Sequence, residues 1–490
     1  MPQVNWTDIG VRLLTIAYVV NLLFTIMIVF LERKKPTSTL VWLLTLFILP
    51  GLGAVMYFFL AQNILRRKSF AFAARDDDYR QRNSDLLQSI RRLQAGGKIF
   101  RDSRLEPYRD IIQFLQVQSR ALYSADNELR VFLDGREKFN DLFGQIRAAR
   151  DHIHVLYYIL KKDELGRGLL DLLIMKAQEG VEVRLLVDAI GNAMSGRDLR
   201  RLTRAGGHVA RFFPSFFTFI NLKLNYRNHR KIVVVDGQTG YVGGFNVGNE
   251  YLGLKKSMGY WRDTHLRIRG SAVHDLQTRF FQDWLLAARE KLPVTDRYYP
   301  APQTANSAAA GVQIVSCGPD SEHEDIKLGF VKMIHAAKKS IYIQTPYFIP
   351  DESISESLAI AALSGIDVNL MIPCKPDHPF VYWATCSFVG DLLQSGVKAY
   401  IYKGGFLHSK TIVVDDRIAS VGTANFDIRS FRLNYEVNAF IYDVPTAKTL
   451  QTAFMKDIAV CDELTLETYR RRSPFTKFKE SISRLLAPIL

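Results

Sequence analysis

Two apolar stretches open the chain. Residues 13–31 carry only Thr15, Asn21 and Thr25 as polar breaks, and residues 40–61 are interrupted by Thr45 and by Pro50-Gly51-Leu52-Gly53. Each approximates the ~20 residues that cross a bilayer as a helix. The spacer ERKKPTST is so short that the two helices, about 11–31 and 39–61, are expected to form an antiparallel transmembrane hairpin with both ends on one side. Glu32-Arg33-Lys34-Lys35 follows the first stretch directly, and neither a basic leader nor a small-residue cleavage site accompanies it, which argues against a cleaved signal peptide.

After a basic connecting segment, 66–104, the pattern changes to short Val/Ile/Leu runs alternating with helical periodicity, and the change is written twice. IHVLYYIL (153–160) followed by GVEVRLLVD (180–188) matches IYIQTPYFIP (341–350) followed by GIDVNLMIP (365–373), with helical segments at 165–179 and 353–364 between them. GGHVARFF (206–213) matches SGVKAYIY (395–402) in the same way. Near-continuous apolar strands alternating with helices predict an α/β fold whose sheet is covered on both faces. The natural parse is two duplicated units, 105–295 and 312–470, joined by a linker over 296–311 and followed by a basic amphipathic tail, 471–490. Duplication suits a single site at the pseudo-symmetric seam and equally suits two independent units.

Composition sharpens this picture in three ways. With 490 residues and 48% apolar content the chain can bury more than one core, so global disorder is excluded. The formal charge of +15 calls for anionic company: nucleic acid, anionic headgroups or phosphorylated substrates. Cys317, Cys374, Cys386 and Cys461 lack metal-type spacing and read as buried thiols in a reduced compartment.

The chemistry sits in a repeated phrase, NHRKIVVVDG (228–237) and LHSKTIVVDD (407–416). Strand periodicity is two, so His229 and Lys231 share a face, as do His408 and Lys410, at the mouth of an otherwise apolar strand. Each run meets a turn signal, Asp236-Gly237 or Asp415-Asp416, and returns to GGFN (243–246) or GTAN (422–425). A hairpin centred on those turns would set Asn246 opposite His229 and Asn425 opposite His408, with Gly243, Gly244, Gly422 and Thr423 letting a ligand approach the backbone. Asp236 and Asp415 lie at an odd offset and about 20 Å further along, so they read as turn or structural residues.

The expected site therefore holds two His, two Lys and two Asn. Ammonium and amide groups complement a phosphoryl group and the charge that develops on it. One imidazole can attack phosphorus while the other protonates the leaving alkoxide and then deprotonates an incoming hydroxyl. A carboxylate should orient each ring through its second nitrogen. Glu436 is the candidate for His408, and Asp263 and Glu250 are the candidates for His229.

At these residues the chain resembles the phospholipase D superfamily, whose signature is the doubled H-x-K-x4-D motif, and more closely the bacterial cardiolipin synthases. ERKKPTSTLVWLLTLFILPGLGAVMYFF, NYRNHRKIVVVDG, YVGGFNVGNEY, YWRDTHLRIRG, TPYFIP, LHSKTIVVDD, GTANFDIRSFRLNYEVN and ISRLLAPIL carry the likeness over nearly the whole length. The resemblance implies a phosphatidyltransferase with two phospholipase D-like α/β sandwich domains sharing one active site. It implies transfer between two phosphatidylglycerols, giving cardiolipin and glycerol through a phosphatidyl-histidine, with no metal or other cofactor. It also implies His229 as nucleophile, His408 as acid and base, and Asp263 rather than Glu250 behind His229.

Other segments suggest contact with lipid. FFPSFFTFI (212–220) ahead of Lys223, Arg227 and Arg230 is suited to an interfacial loop, with Phe216 and Phe217 among acyl chains and Arg227 near phosphates. In the tail, Phe475, Phe478, Ile482, Leu485 and Leu486 form a helical stripe suited equally to membrane contact or to docking on the body. The basic flank beyond the second apolar stretch predicts a multi-pass protein of the bacterial inner membrane with a cytoplasmic body. A hydrolytic phospholipase D, a nucleic-acid phosphodiesterase and a non-catalytic membrane scaffold are the competing readings. No basic–aromatic nucleic-acid surface is legible, so no nucleic-acid partner is expected, and the sequence sets no oligomeric state.

Overall fold

The computed structural model describes residues 6–31, 36–60, 99–212, 226–304, 309–375 and 377–487. The expected interfacial residues Phe216 and Phe217 lie outside them. The chain divides into the N-terminal hairpin and an α/β body.

In the hairpin, the helix Trp6–Ile26 continues through a π-helical turn, Met27–Leu31. Its segment Gly10–Phe30 is long and apolar enough to cross a membrane. The second arm, expected as one helix, is two, Pro36–Ile48 and Leu52–Leu60. Pro50 brings no N–H to the break and Gly51 takes a φ of +77°. Asn21 on the first helix answers this break: its amide donates to the Leu46 carbonyl at 2.7 Å and accepts from the Gly51 N–H at 3.4 Å. In hydrocarbon such freed backbone groups have no other partner, so the polar interruption of the first arm serves the interruption of the second. Ile28, Leu46, Ala54 and Tyr57 form the buried centre, with Phe24 and Trp42 edge-on to Tyr57.

The body is built on two copies of one strand order. The first copy supplies β1 (Tyr123–Phe132), β2 (His152–Tyr157), β3 (Glu182–Asp188), β4 (His208–Phe212), β5 (Arg227–Asn228), β6 (Ile232–Val235), β7 (Thr239–Gly243), β8 (Tyr260–Arg262) and β9 (His265–Arg269). The second supplies β10 (Ala310–Cys317), β11 (Ser340–Gln344), β12 (Phe348–Ile349), β13 (Asp367–Pro373), β14 (Lys398–Tyr402), β15 (Gly405–Leu407), β16 (Thr411–Val414), β17 (Ile418–Gly422), β18 (Phe426–Asp427), β19 (Asn434–Tyr442) and β20 (Cys461–Leu464). In space the first reads 4-3-2-6-7-9-1 and the second 14-13-11-16-17-19-10, with β20 added at the edge. In each copy three parallel strands meet an antiparallel group, β2 against β6 and β11 against β16. β1 and β10 pair antiparallel, with Tyr123 opposite Gln313, and join both copies into one sheet. The expected linker accordingly ends inside a strand, because β10 begins at Ala310.

Three large cores among the described residues of the body follow from the two-sided burial. Phe139, Leu142, Leu169, Leu173 and Leu202 pack one set of helices on the first copy, and Ile111, Leu115, Phe330, Leu358 and Val389 do so on the second. The third core takes residues from both copies, among them Ile232, Phe280, Trp284, Val413, Leu450 and Phe454. The copies therefore share their interior.

Both H-x-K strands turn as hairpins. Asp236 and Gly237 have φ of +52° and +64°, and Asp415 and Asp416 have +55° and +54°, the doubly positive turn that matches strand twist. Each first aspartate also braces the strand next door. The Asp236 carboxylate accepts from the N–H groups of Arg150 (2.9 Å), Asp151 (2.9 Å) and His152 (3.0 Å) at the start of β2. Asp415 accepts from Lys338, Lys339 and Ser340 at the start of β11, and from the Tyr108 hydroxyl at 2.8 Å.

Candidate active site

The ladders of the two hairpins end at Ile232 opposite Val242 and at Thr411 opposite Val421. Beyond these points each chain crosses to the other copy. β5 runs parallel to β19, with Asn228 opposite Tyr435, and the His229 N–H donates to the Tyr435 carbonyl at 2.9 Å. β15 runs parallel to β8, with Leu407 opposite Arg262, and the His408 N–H donates to the Arg262 carbonyl at 2.8 Å. The expected facing of each Asn with its own His is therefore not made, because both histidines pair across the seam instead.

This crossing also exchanges the orienting carboxylates. His229 Nδ1 lies 2.9 and 3.0 Å from the two oxygens of Glu436, and His408 Nδ1 lies 2.6 Å from Asp263 Oδ2. Sequence reading put Glu436 behind His408 and Asp263 behind His229. The strand pairings reverse this, since β19 carries Glu436 to β5 and the chain leaving β8 carries Asp263 to β15. Glu250, the other candidate, sits 3.9 Å from Lys161. Both clamping carboxylates are fully buried, while the imidazoles retain 12% and 10% exposure. With Nδ1 held, Nε2 is the nitrogen left for chemistry.

Gly244 and Gly422 have a different use from the expected one. A Cβ on Gly244 would stand 1.9 Å from Asp263 Oδ1, and one on Gly422 would stand 2.2 Å from the Asn438 side chain. The missing side chains make room for the Asp263 carboxylate and for Asn438, not for a ligand.

Each lysine folds back on its own motif. Lys231 Nζ donates to the His229 carbonyl at 2.6 Å, and Lys410 donates to that of His408. Burial brings Lys231 down to about 7 and Lys410 down to about 8, against the upward pull of Glu436 and Asp263. Burial and then Lys410 push His408 down to about 4, while Asp263 opposes them. His229 is lowered by burial and by Lys231 and Lys410, and Glu436 partly restores it. Burial alone would raise both carboxylates, but Lys410 and His408 hold Asp263 low, and His229 and Lys231 hold Glu436 low. Lys410 lowers His229, and Lys231 lowers His408, so the lysine of each copy acts electrostatically on the histidine of the other.

The two asparagines are held differently. Asn246 Oδ1 accepts from the Ile159 N–H at 3.1 Å and its amide donates to the Tyr251 hydroxyl at 3.1 Å. Asn425 sits beside the buried Asp427, with its Oδ1 unpaired among the described residues. Around the histidines the pseudo-symmetry breaks. Tyr158 stands edge-on to His229 at 5.0 Å and 5.5 Å from Lys231 Nζ, and Arg227, two residues before His229, shares its face. The corresponding position before His408 is Phe406, and His408 packs against Trp261 at 5.2 Å.

Two contributors, Tyr158 and Trp261, escaped sequence reasoning. Tyr158 directly follows β2, and its only signal is that position. Trp261 lies in the quoted YWRDTH but carries no motif. Arg230, expected beside Arg227 among the cations that meet lipid phosphates, is instead fully buried: it pairs with Asp283 at 2.5 Å and donates to the carbonyls of Glu436 and Cys317 at 3.0 Å each, tying both copies together behind His229. Two clamped imidazoles beside two buried ammoniums can relay a phosphoryl group: one attacks, the other manages the proton, and the cations balance oxygen charge.

Comparison with known proteins identifies the family. The family described as cardiolipin synthase, PLD-like domain matches residues 142–284 and 330–458, and the phospholipase D-nuclease N-terminal family matches residues 19–62. The major cardiolipin synthase of Bacillus subtilis strain 168 is 50% identical over 98% of this chain and 99% of its own. A cardiolipin synthase of Staphylococcus aureus strain Mu50 is 51% identical over 97% of this chain and 96% of its own. Among solved structures, the phosphatidylserine synthase of Haemophilus influenzae Rd KW20 covers 78% of this chain and 100% of its own at a TM-score of 0.60 and 18% identity, a likeness of fold. With both sequence and architecture accounted for, the chain belongs to the cardiolipin synthase family of phospholipase D-like phosphatidyltransferases.

Proposed function

We propose that this membrane-associated enzyme makes cardiolipin and glycerol from two phosphatidylglycerols by way of a phosphatidyl-histidine. The reading is carried by the crossed clamps, two imidazoles from different copies each held at Nδ1 by a buried carboxylate of the other. Nε2 of neutral His229 attacks phosphorus, the bond to the glycerol oxygen breaks, and protonated His408 gives its proton to the departing alkoxide. Neutral His408 next takes the proton of a terminal hydroxyl on the second phosphatidylglycerol. That oxygen attacks phosphorus, the phosphorus–nitrogen bond breaks, and cardiolipin leaves with His229 restored.

The assignment of roles follows the resemblance of the two motifs to phospholipase D-like enzymes. Burial lowers both imidazoles, which keeps His229 neutral for attack, and the Asp263 carboxylate supports the protonated form of His408. Lys231, Lys410, Asn246 and Asn425 hold the phosphoryl oxygens and the acceptor, and Arg227 stands on the His229 side where the headgroup enters. Binding of the anionic phosphodiester raises the acidified groups toward their working charges. The hairpin arms span the membrane and the body faces the cytoplasm, as the basic flanks favour. The test is incubation of purified protein with labelled phosphatidylglycerol, with acid quench and lipid analysis. Labelled enzyme, cardiolipin and glycerol are expected, and phosphatidic acid without cardiolipin, or full turnover by His229→Ala, would overturn the proposal.

A further inference from the structure

The tail helix Pro474–Leu485 is attached to the body by its polar edge. Glu480 and Ser483 are its buried residues, 3% and 1% exposed, and the following Ala487 sits with Ile349 and Ala384. Arg472 donates to Glu480 at 2.8 Å. Arg484 pairs with Asp391 at 2.5 Å, donates to the Ser387 hydroxyl at 3.2 Å and lies 4.5 Å over Phe388, so the helix is fastened along Pro379–Leu393 by charge and hydrogen bonds.

The opposite edge is apolar and open. Phe475, Phe478, Ile482 and Leu485, at i, i+3, i+7 and i+10, are 65%, 62%, 40% and 76% exposed. An amphipathic helix on a soluble protein turns such a stripe inward; here it is turned out while the polar edge is held in. The flanks are cationic. Lys477 is exposed, Lys479 lies 4.3 Å over the Phe475 ring, and residues 466–485 hold six Lys or Arg (470, 471, 472, 477, 479, 484) against two Glu (467, 480).

An apolar stripe between cations matches a layer of acyl chains beneath anionic headgroups. A second copy docking on the same stripe would set Lys477 and Lys479 against their own counterparts, like charge against like. We propose that this helix lies in the interface of an anionic bilayer, with Phe475, Phe478, Ile482 and Leu485 among the acyl chains and Lys477 and Lys479 at the phosphates. It would be a second point of attachment, at the opposite end of the chain from the hairpin, and it takes from the proposed function only that the substrate resides in a bilayer.

The experiment uses the full chain reconstituted in vesicles of phosphatidylglycerol and phosphatidylcholine whose acyl chains carry bromine. Phe478→Trp is compared with the unaltered protein, whose five tryptophans provide the baseline. The added fluorescence is expected to be blue-shifted and quenched by the bromolipid; quenching by aqueous iodide instead would overturn the proposal. This readout is independent of turnover, so it separates failure of the inference from failure of the proposed reaction. The combined variant Phe475→Ser, Phe478→Ser, Leu485→Ser is expected to lose at least about fivefold in turnover of bilayer lipid, and to match the unaltered enzyme on monomeric short-chain phosphatidylglycerol. Equal activity on both substrates, or a detergent-solubilised dimer that this variant dissociates, would refute it.

Discussion

Replacing Glu436 by Gln separates the crossed arrangement from an arrangement within each copy. Glu436 is fully buried and receives His229 Nδ1 at 2.9 and 3.0 Å and the Asn434 amide at 3.2 Å. The substitution keeps the shape but removes the charge that supports His229 and Lys231. A hydrogen bond to a charged partner contributes about 1.5–3 kcal/mol, which at about 1.4 kcal/mol per decade is roughly 10- to 150-fold in rate. The loss must fall on attack at phosphorus, whatever leaves. Asp263→Asn, in contrast, weakens the proton donor His408 and should matter when the leaving group needs a proton. With phosphatidylglycerol both variants should form the labelled enzyme slowly. With a 4-nitrophenyl phosphatidyl ester, whose phenolate leaves unprotonated, Asp263→Asn should recover the burst of nitrophenolate and Glu436→Gln should not. The reverse pattern, or equal losses with both substrates in stopped-flow burst measurements, would refute the exchange of clamps or the assignment of roles.

Other outcomes follow from the same geometry. Both lysines act as cations with pKa values lowered to about 7 and about 8, so kcat/KM should fall as pH rises through that window, and Lys231→Arg should move the limb to higher pH; a flat profile from pH 6 to 9 would contradict it. Gly244→Ala places a Cβ 1.9 Å from Asp263 Oδ1 and should reproduce the Asp263→Asn loss in turnover and its rescue by the nitrophenyl ester. Asp236→Ala leaves three backbone N–H groups without their acceptor. It should cost about 2–4 kcal/mol in denaturant unfolding while the folded fraction keeps its turnover; a loss of turnover with unchanged stability would show that Asp236 belongs to the chemistry.

The duplicated phrase made much of this legible. Parity along a strand put His229 with Lys231 and His408 with Lys410, and kept Asp236 and Asp415 apart from them, because a period of two is a local property of extended backbone. The pairing of carboxylates was not legible. It depends on β5 meeting β19 and β15 meeting β8, strands of two and three residues whose partners are more than a hundred residues away. Such short segments carry no periodicity of their own. Asn21 was read as an interruption, and its task emerged only when the break at Pro50 and Gly51 came beside it. The stripe on the tail was visible by helical spacing, but the direction it faces was decided by Arg484, whose partners Asp391 and Ser387 lie nearly a hundred residues earlier.

The crossed clamps have a bearing on ancestry and on assembly. A single copy, folded alone, would hold one imidazole without its carboxylate and one carboxylate without its imidazole. Two identical copies related by a two-fold axis would satisfy both at once, since each would offer the other the same pair. Fusion into one polypeptide preserves that reciprocity while freeing the partners to diverge, which is how Arg227 can stand where its counterpart is Phe406. Complementation should expose the dependence: halves produced as separate chains would be inert alone and would regain turnover only as a heterodimer.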